Sequence, residues 1–420
     1  MVKNAFRVSF VLFVVSTIAL TGYMVGPFSL RIPFGILTGF FLLNSEYKIK
    51  IDTNIKILIG FSLAFFIALC FNGELISFNF FNYFIGKIVL GIVMYYGADH
   101  YFKSQRSINK IILVLSIIAI LNGVSSILQY YKNPLGDILS LVLSKGSKNE
   151  GMGFSKSEIM SFYSNAGKIG VPGIFQDRVA NGYFAAFSVF LPLFLIYNAK
   201  SKLSYLYYIV LFLISFITLY FTQQRSALAI VLLLFGFLFI HRVKLYNIKV
   251  ISVILLLVLA GIALYINLPN GNFDTGRYNS YSDDGRDKMY FACIDFIFSH
   301  FLFGGPMAMA KVISSVNPGI VSPHNFFLTA YGYSGFVGGS LISILFLKML
   351  LKAIRSRHLS FEVNVVGCML LAFLLNSLLH NGGLMEGEGM IWFLFVMLMK
   401  IEKFKTCIVN SKKQAQTMIP

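Results

Sequence analysis

The sequence predicts an all-α polytopic membrane protein with about twelve transmembrane helices. Three observations predict it. Of the 420 residues, 57% are hydrophobic and only 12% are charged, about half the charged share of a soluble domain. Apolar runs of about 20 residues, long enough to cross a hydrocarbon core, recur from one end of the chain to the other. Lysine and arginine gather in alternate connections between those runs, as cytoplasmic loops require. The whole chain, 1–420, reads as a single integral membrane domain with little room for a separate soluble one.

The expected spans are 5–24, 29–44, 56–73, 80–98, 109–129, 182–197, 204–220, 226–240, 248–266, 325–347, 362–379 and 390–406. Lys3 and Arg7 precede the first run. No small-x-small cleavage pattern follows it, so it reads as a transmembrane helix rather than a cleaved signal. With the N-terminus in the cytoplasm, Lys48, Lys50 and Lys56 fall inside, as do Lys103, Arg106 and Lys110. Lys200 and Lys202, Arg242, Lys244 and Lys249, and the cluster Lys348, Lys352, Arg355 and Arg357 follow the same rule. The C-terminal part adds Lys400, Lys403, Lys405, Lys412 and Lys413, with 407–420 as a cytoplasmic tail. With Lys3 and Arg7 these make 22 of the 35 basic residues. The net charge of +18 is thus a topology signal, and nucleic acid is not an expected partner. Cys70, Cys293, Cys368 and Cys407 are scattered without a CxxC spacing, which predicts neither a disulfide framework nor a metal site.

The same alternation leaves two long segments outside, 130–181 and 267–323. Loops of this length are functional or disordered, and the aromatic content of the second argues against disorder. The first ends in FSKSEIMSFYSNAGKIGVPGIFQDRVANGYFAAF, an amphipathic stretch and a Gly/Pro turn before the next span. In the second, Met289, Cys293, Phe296 and Ile297 recur at helical spacing. That predicts a short interfacial helix stopped by Gly304-Gly305-Pro306.

Basic residues left outside are the candidates for anion chemistry. Arg225 opens a span in FTQQRSALAIVLL, where Gln223, Gln224 and Ser226 share its rim. A rim arginine commonly snorkels. Beside helix N-terminal amides it also makes an anion site. Arg286 sits in GRDKMY beside Asp283, Asp284 and Asp287. It is either a local ion pair or a fork of donors for a phosphate. Arg277 competes for that role from a plainer polar loop. His324 follows Ser322-Pro323 and precedes Asn325. It is a structural rim residue or a group that handles a proton, and Asn325 can orient a neighbour. Arg178, with Asp177 and Asn181, suits a sugar or phosphate, or else a local salt bridge. Glu386 and Glu388 border an outer turn, where they can bind an acceptor hydroxyl or counter the arginines. His300 and His380 are weaker candidates. The glycines of YGYSGFVGGS suit close helix packing rather than phosphate binding. No zinc triad, Walker loop or nucleophile elbow occurs.

Four stretches together resemble the bacterial O-antigen ligase and O-antigen polymerase superfamily. They are GIFQDRVANGYFAAF, QQRSALAI, GRDKMYFACIDFIFSHFLFGG and SPHNFFLTAYGYSGFVGG. The resemblance is strong over Gly173 to Gly339 and extends to the whole chain in topology. It implies a GT-C-like membrane glycosyltransferase of the bacterial inner membrane, with both termini cytoplasmic and the site external. The implied activity is polymerisation of undecaprenyl-diphosphate-linked oligosaccharide onto a lipid-linked repeat unit. Ligation to lipid A–core is the alternative. By the same resemblance Arg225, Arg286 and His324 are catalytic, while Arg178, Asn325, Arg277 and Glu386 bind substrate. No cofactor and no metal are expected; membrane lipids, a flippase and a chain-length regulator are the implied partners. The sequence departs from the family's common pattern at Asp177-Arg178 and at Gly305-Pro306. A transporter of the same lipids would place charge along a path through the membrane. Lys87 is the main basic residue inside a span.

Overall fold

The computed structural model describes residues 2–19, 24–25, 28–76, 80–131, 133–136, 138, 170–175, 178–196, 201–240, 286–316, 322–379, 384 and 389–417. They form a bundle of helices. Helix α1 (Val2–Ile18) is followed by a minimal antiparallel ladder, β1 (Met24–Val25) with β2 (Phe28–Ser29), pairing Met24 with Ser29 and Val25 with Phe28. Next come α2 (Arg31–Leu43), α3 (Thr53–Phe71), the single turn α4 (Phe80–Tyr83), a π-helical stretch Phe84–Val89 and α5 (Leu90–Tyr101). Then follow α6 (Gln105–Tyr130), α7 (Arg178–Ser188), α8 (Leu191–Ile196), α9 (Lys202–Phe221) and α10 (Arg225–Ile240). A hairpin of α11 (Arg286–Ser299) and α12 (Pro306–Val316) precedes α13 (Phe326–Arg355), α14 (Phe361–Ser377) and α15 (Gly389–Thr417).

Among the described residues, five helical stretches are long and apolar enough to cross a membrane: Thr53–Phe71, Gln105–Tyr130, Arg178–Ile196, Lys202–Phe221 and Phe326–His358. Shorter apolar helices include Arg31–Leu43 and Phe361–Ser377. Large apolar side chains cover the outside of the bundle as well as its core. Leu63, Ile67 and Phe71 on α3 and Val337, Ile344 and Leu351 on α13 are exposed. In water such stripes would be a liability; in lipid they are the expected surface. Helix α14 is buried on all sides and is the centre of the core, as an all-round apolar helix should be. Several buried hydroxyls return to their own helix: Ser62, Ser116 and Ser334 donate to the carbonyls of Leu58, Ile112 and Ala330. That removes the penalty for a polar group in an apolar interior.

The described helices overlap most of the expected spans, and four differences bear on the site. The span expected at 80–98 contains the π-helical stretch, where the Lys87 ammonium lies 5.0 Å from the centre of the Tyr83 ring. The span expected at 182–197 starts earlier, at Arg178, and breaks at Val189–Phe190 before Pro192. Pro192 has no N–H to continue the ladder. The second long loop holds two helices rather than one: the first ends at Ser299, before the glycines, and Pro306 suits the opening of the next. Helix α15 continues to Thr417, through most of the expected tail. The span expected at 248–266 lies outside the described residues, as do most of 130–181 and the start of 267–323.

Helices α3 and α13 run antiparallel: Gly60 lies against Leu341, and Gly338 against Ala64. The bundle therefore has two distinct ends. One holds the start of α3 and the end of α13. The other holds the end of α3 and the starts of α7, α10 and α13.

Candidate functional site

The turn before α10 carries Gln223, Gln224 and Arg225. Its conformation is enforced from below. Val171 donates to the Phe221 carbonyl at 3.1 Å. The segment 170–175 is itself clamped by α6. Gln129 accepts from the Gly173 amide at 2.9 Å and donates to the Gly173 carbonyl at 2.9 Å. Asn122 accepts from the Ile174 amide at 3.1 Å and donates to Asn181 at 2.8 Å. Asn181 in turn donates to the Val171 carbonyl and to Ser126. Gly173 is required here: its φ is 62°, and a Cβ would sit 2.1 Å from the Asn122 oxygen. A buried amide network of this kind is costly if half made and rigid when complete. It also revises one expectation. Asn181 is fully buried and holds backbone, so it is no surface group for a sugar.

Gln224 packs on Gly182 of α7, one turn after Arg178. Next along α7, Tyr183 stacks on Phe373 of α14 and Phe187 packs against the same ring at a tilt. At the end of α14, the Leu378 carbonyl accepts from the Asn325 amide at 2.9 Å. Asn325 also caps α13, its oxygen accepting from Phe327 and Leu328 at 2.9 and 3.1 Å. An N-cap asparagine of this kind fixes where a helix starts. Here it also fixes His324, the residue before it. The chain of contacts thus brings the starts of α7, α10 and α13 around the end of α14. Arg178, Arg225 and His324 belong to one end of the bundle.

Two non-glycine residues have left-handed backbones among the described residues: Gln223, at φ 51°, and His324, at φ 52°. Such residues are a few per cent of non-glycine positions. Each costs on the order of 1 kcal/mol and persists only where its surroundings force it. One lies in the QQR turn and the other in the SPHN turn.

The α11–α12 hairpin packs on α13 at the same end. Met289, Cys293 and Phe296 of α11 meet Met309 and Ile313 of α12 in a small core that Leu328 and Tyr333 of α13 border. Burial pushes the Cys293 thiol up to about 12. The stripe expected to lie on the membrane is therefore mostly turned into protein. A second stripe, Phe291, Ile294 and Phe298, faces outward. The hairpin is seated where α13 kinks at Gly335, with φ 63° and ψ −167°. The kink admits the Phe301–Gly305 backbone: Gly305 donates to the Gly332 carbonyl at 2.8 Å, and Phe336 to the Phe301 carbonyl at 2.7 Å. The glycines of YGYSGFVGGS thus serve close packing, as expected, but against a loop as well as a helix.

Arg286 is the first residue of α11, one turn before buried Met289. His300 is exposed and stacks on Phe296 at 4.1 Å. Arg277, Glu386, Glu388 and His380 lie outside the described residues. Sequence reasoning passed over Asn122, Gln129, Asn72 and Glu74. The first two had a signal, since Asn122, Ser126 and Gln129 make one polar stripe on an apolar span, and polar side chains in a span turn inward. No family model matches this chain, and no curated protein matches it.

Proposed function

We propose that this protein is a surface-polysaccharide polymerase of the O-antigen type, working at the external face of a bacterial inner membrane. The observation that carries the reading is the pairing of the two left-handed residues, Gln223 and His324, at one end of the bundle. Each belongs to a stretch that resembles the family, and strain of this kind clusters at functional sites. In the full reading the chain has about twelve GT-C-like spans with cytoplasmic termini.

The donor is an undecaprenyl-diphosphate-linked glycan, and the acceptor is a hydroxyl of a lipid-linked repeat unit. The hydroxyl oxygen attacks the anomeric carbon while the bond from that carbon to the diphosphate oxygen breaks. Negative charge grows on the leaving diphosphate. Arg225 and Arg286 stabilise it as preorganised donors, which is where electrostatic catalysis is strongest. His324 takes the hydroxyl proton or holds a phosphate oxygen. A single displacement inverts the sugar carbon. Arg178 and Arg277 bind the glycan or diphosphate, and Glu386 the acceptor.

Purified protein given a lipid-linked repeat unit, with and without lipid A–core, tests this. Ladders on the carrier lipid alone are the expected product. Transfer only to core would make the protein a ligase. Normal ladders from Arg225→Ala, Arg286→Ala and His324→Ala alike would remove the site.

A further inference from the structure

Helix α12 opens at Pro306, so its first free backbone donors are the amides of Met307 and Ala308. Both are taken by one side chain from the far end of α3. Glu74 accepts from Met307 at 3.0 Å through one carboxylate oxygen and from Ala308 at 2.9 Å through the other. Glu74 is 8% exposed. A carboxylate on a helix N-terminus gains from both the open donors and the helix dipole. Two residues earlier, Asn72 donates to the Gly304 carbonyl at 2.8 Å. Phe71 stacks on Phe303, ring centres 4.2 Å apart. The end of α3 thus grips the bend between α11 and α12 at consecutive points, across more than 200 residues of sequence. From that grip α11 reaches back to Arg286, at its other end.

We propose that Glu74 is a positioning residue: it latches the α11–α12 hairpin so that Arg286 is held at the end of the bundle where Arg225 and His324 lie. This role rests on the transfer reaction proposed above. Glu74 touches neither substrate nor reacting atoms in it. Without the carboxylate, α12 loses its cap, and the hairpin keeps the Asn72–Gly304 and Phe71–Phe303 contacts, those at Gly332 and Phe336, and its small core. It then opens from α13 more often, which is local unfolding of a unit with few buried contacts of its own.

The native Cys293 reports that opening, because it lies inside the hairpin core and is fully buried. The full-length protein in lipid nanodiscs is treated with N-ethylmaleimide, and modification of Cys293 is followed by mass spectrometry. Turnover is followed by ladder formation, and the buried Trp392 of the bundle core reports global folding. Glu74→Ala is expected to speed Cys293 modification roughly tenfold and to lower kcat by a similar factor, with Trp392 emission unchanged. Glu74→Gln keeps an acceptor oxygen and is expected to fall between the two. Unchanged Cys293 modification in Glu74→Ala overturns the latch, and so does a shift of Trp392 emission in both variants. Faster modification with unchanged kcat overturns the positioning role while leaving the site intact. Full activity of Arg225→Ala, by contrast, removes the reading of the site on which that role rests.

Discussion

The two ends of the bundle are built from different chemistry. At the end where α3 begins, carboxylates find partners within the protein. Asp52 caps α3 through the amides of Asn54 and Ile55 and accepts from the Tyr95 hydroxyl. Asp99 accepts from Tyr47 at 2.8 Å and pairs with Lys400 at 2.7 Å. Burial, and then the bond to Asp99, raise the Tyr47 phenol above its ordinary range. Lys405 pairs with Glu362, and Lys352 with Glu402. At the opposite end the backbone is tied by neutral amides, Asn122, Gln129, Asn181 and Asn325, with Glu74 as the one carboxylate in the ties described above. At the first end ionised groups hold helices together. At the second, side-chain amides and the Glu74 carboxylate tie backbone, and the QQR and SPHN turns are held in strained conformations.

That contrast can be broken experimentally. The largest effect belongs to Arg225→Ala. Ladder formation should fall about 10²–10³-fold, the scale of losing one preorganised donor, while thermal melting stays unchanged. A matching loss of stability would show that Arg225 is architectural and that the two ends are alike. Lys405→Ala should do the reverse. It leaves Glu362, 1% exposed at its side chain, without this cation, and removal of one buried partner costs about 3 kcal/mol. A lower melting temperature in detergent checks it, with residual activity in whatever protein stays folded.

Gln129→Leu tests the amide network. It strands the buried Gly173 amide and carbonyl, at about 1–3 kcal/mol for a buried group left unpaired. Melting should drop and activity should fall with it, because the QQR turn rests on that segment. Stable but inactive protein would mean that the network shapes the turn without supporting the fold. The smallest effect is expected for Lys3→Ala. Its pair with Glu46 spans 3.5 Å between side chains 71% and 90% exposed, and such pairs are worth at most a few tenths of a kcal/mol. A melting shift above a degree or two would contradict that.

Much of this protein is written locally. Span positions, their alternating basic connections and the helix starts at Arg225 and Phe326 follow from hydropathy, charge and capping, each decided within one or two dozen residues. The polar stripe of Asn122, Ser126 and Gln129 was equally local, but its meaning depended on a partner segment some 50 residues away. Glu74 carried no local signal at all. A lone acid after an apolar run looks like any rim residue until α12 is seen to start on it.

The sequence by itself determined that the chain is helical and apolar enough for a membrane, because the length and composition of each run settle that one run at a time. It also marked Arg178, Arg225, Arg286 and His324 as the basic residues worth following. Only the tertiary structure decided that the starts of α7, α10 and α13 meet around the end of α14. It alone showed that Asn325 is a cap and a tie, and that α11 buries the stripe expected to face lipid. The physical reason is the same in each case. A helix needs only its own residues to form, whereas a strained turn or a buried amide exists only if distant segments supply its partners.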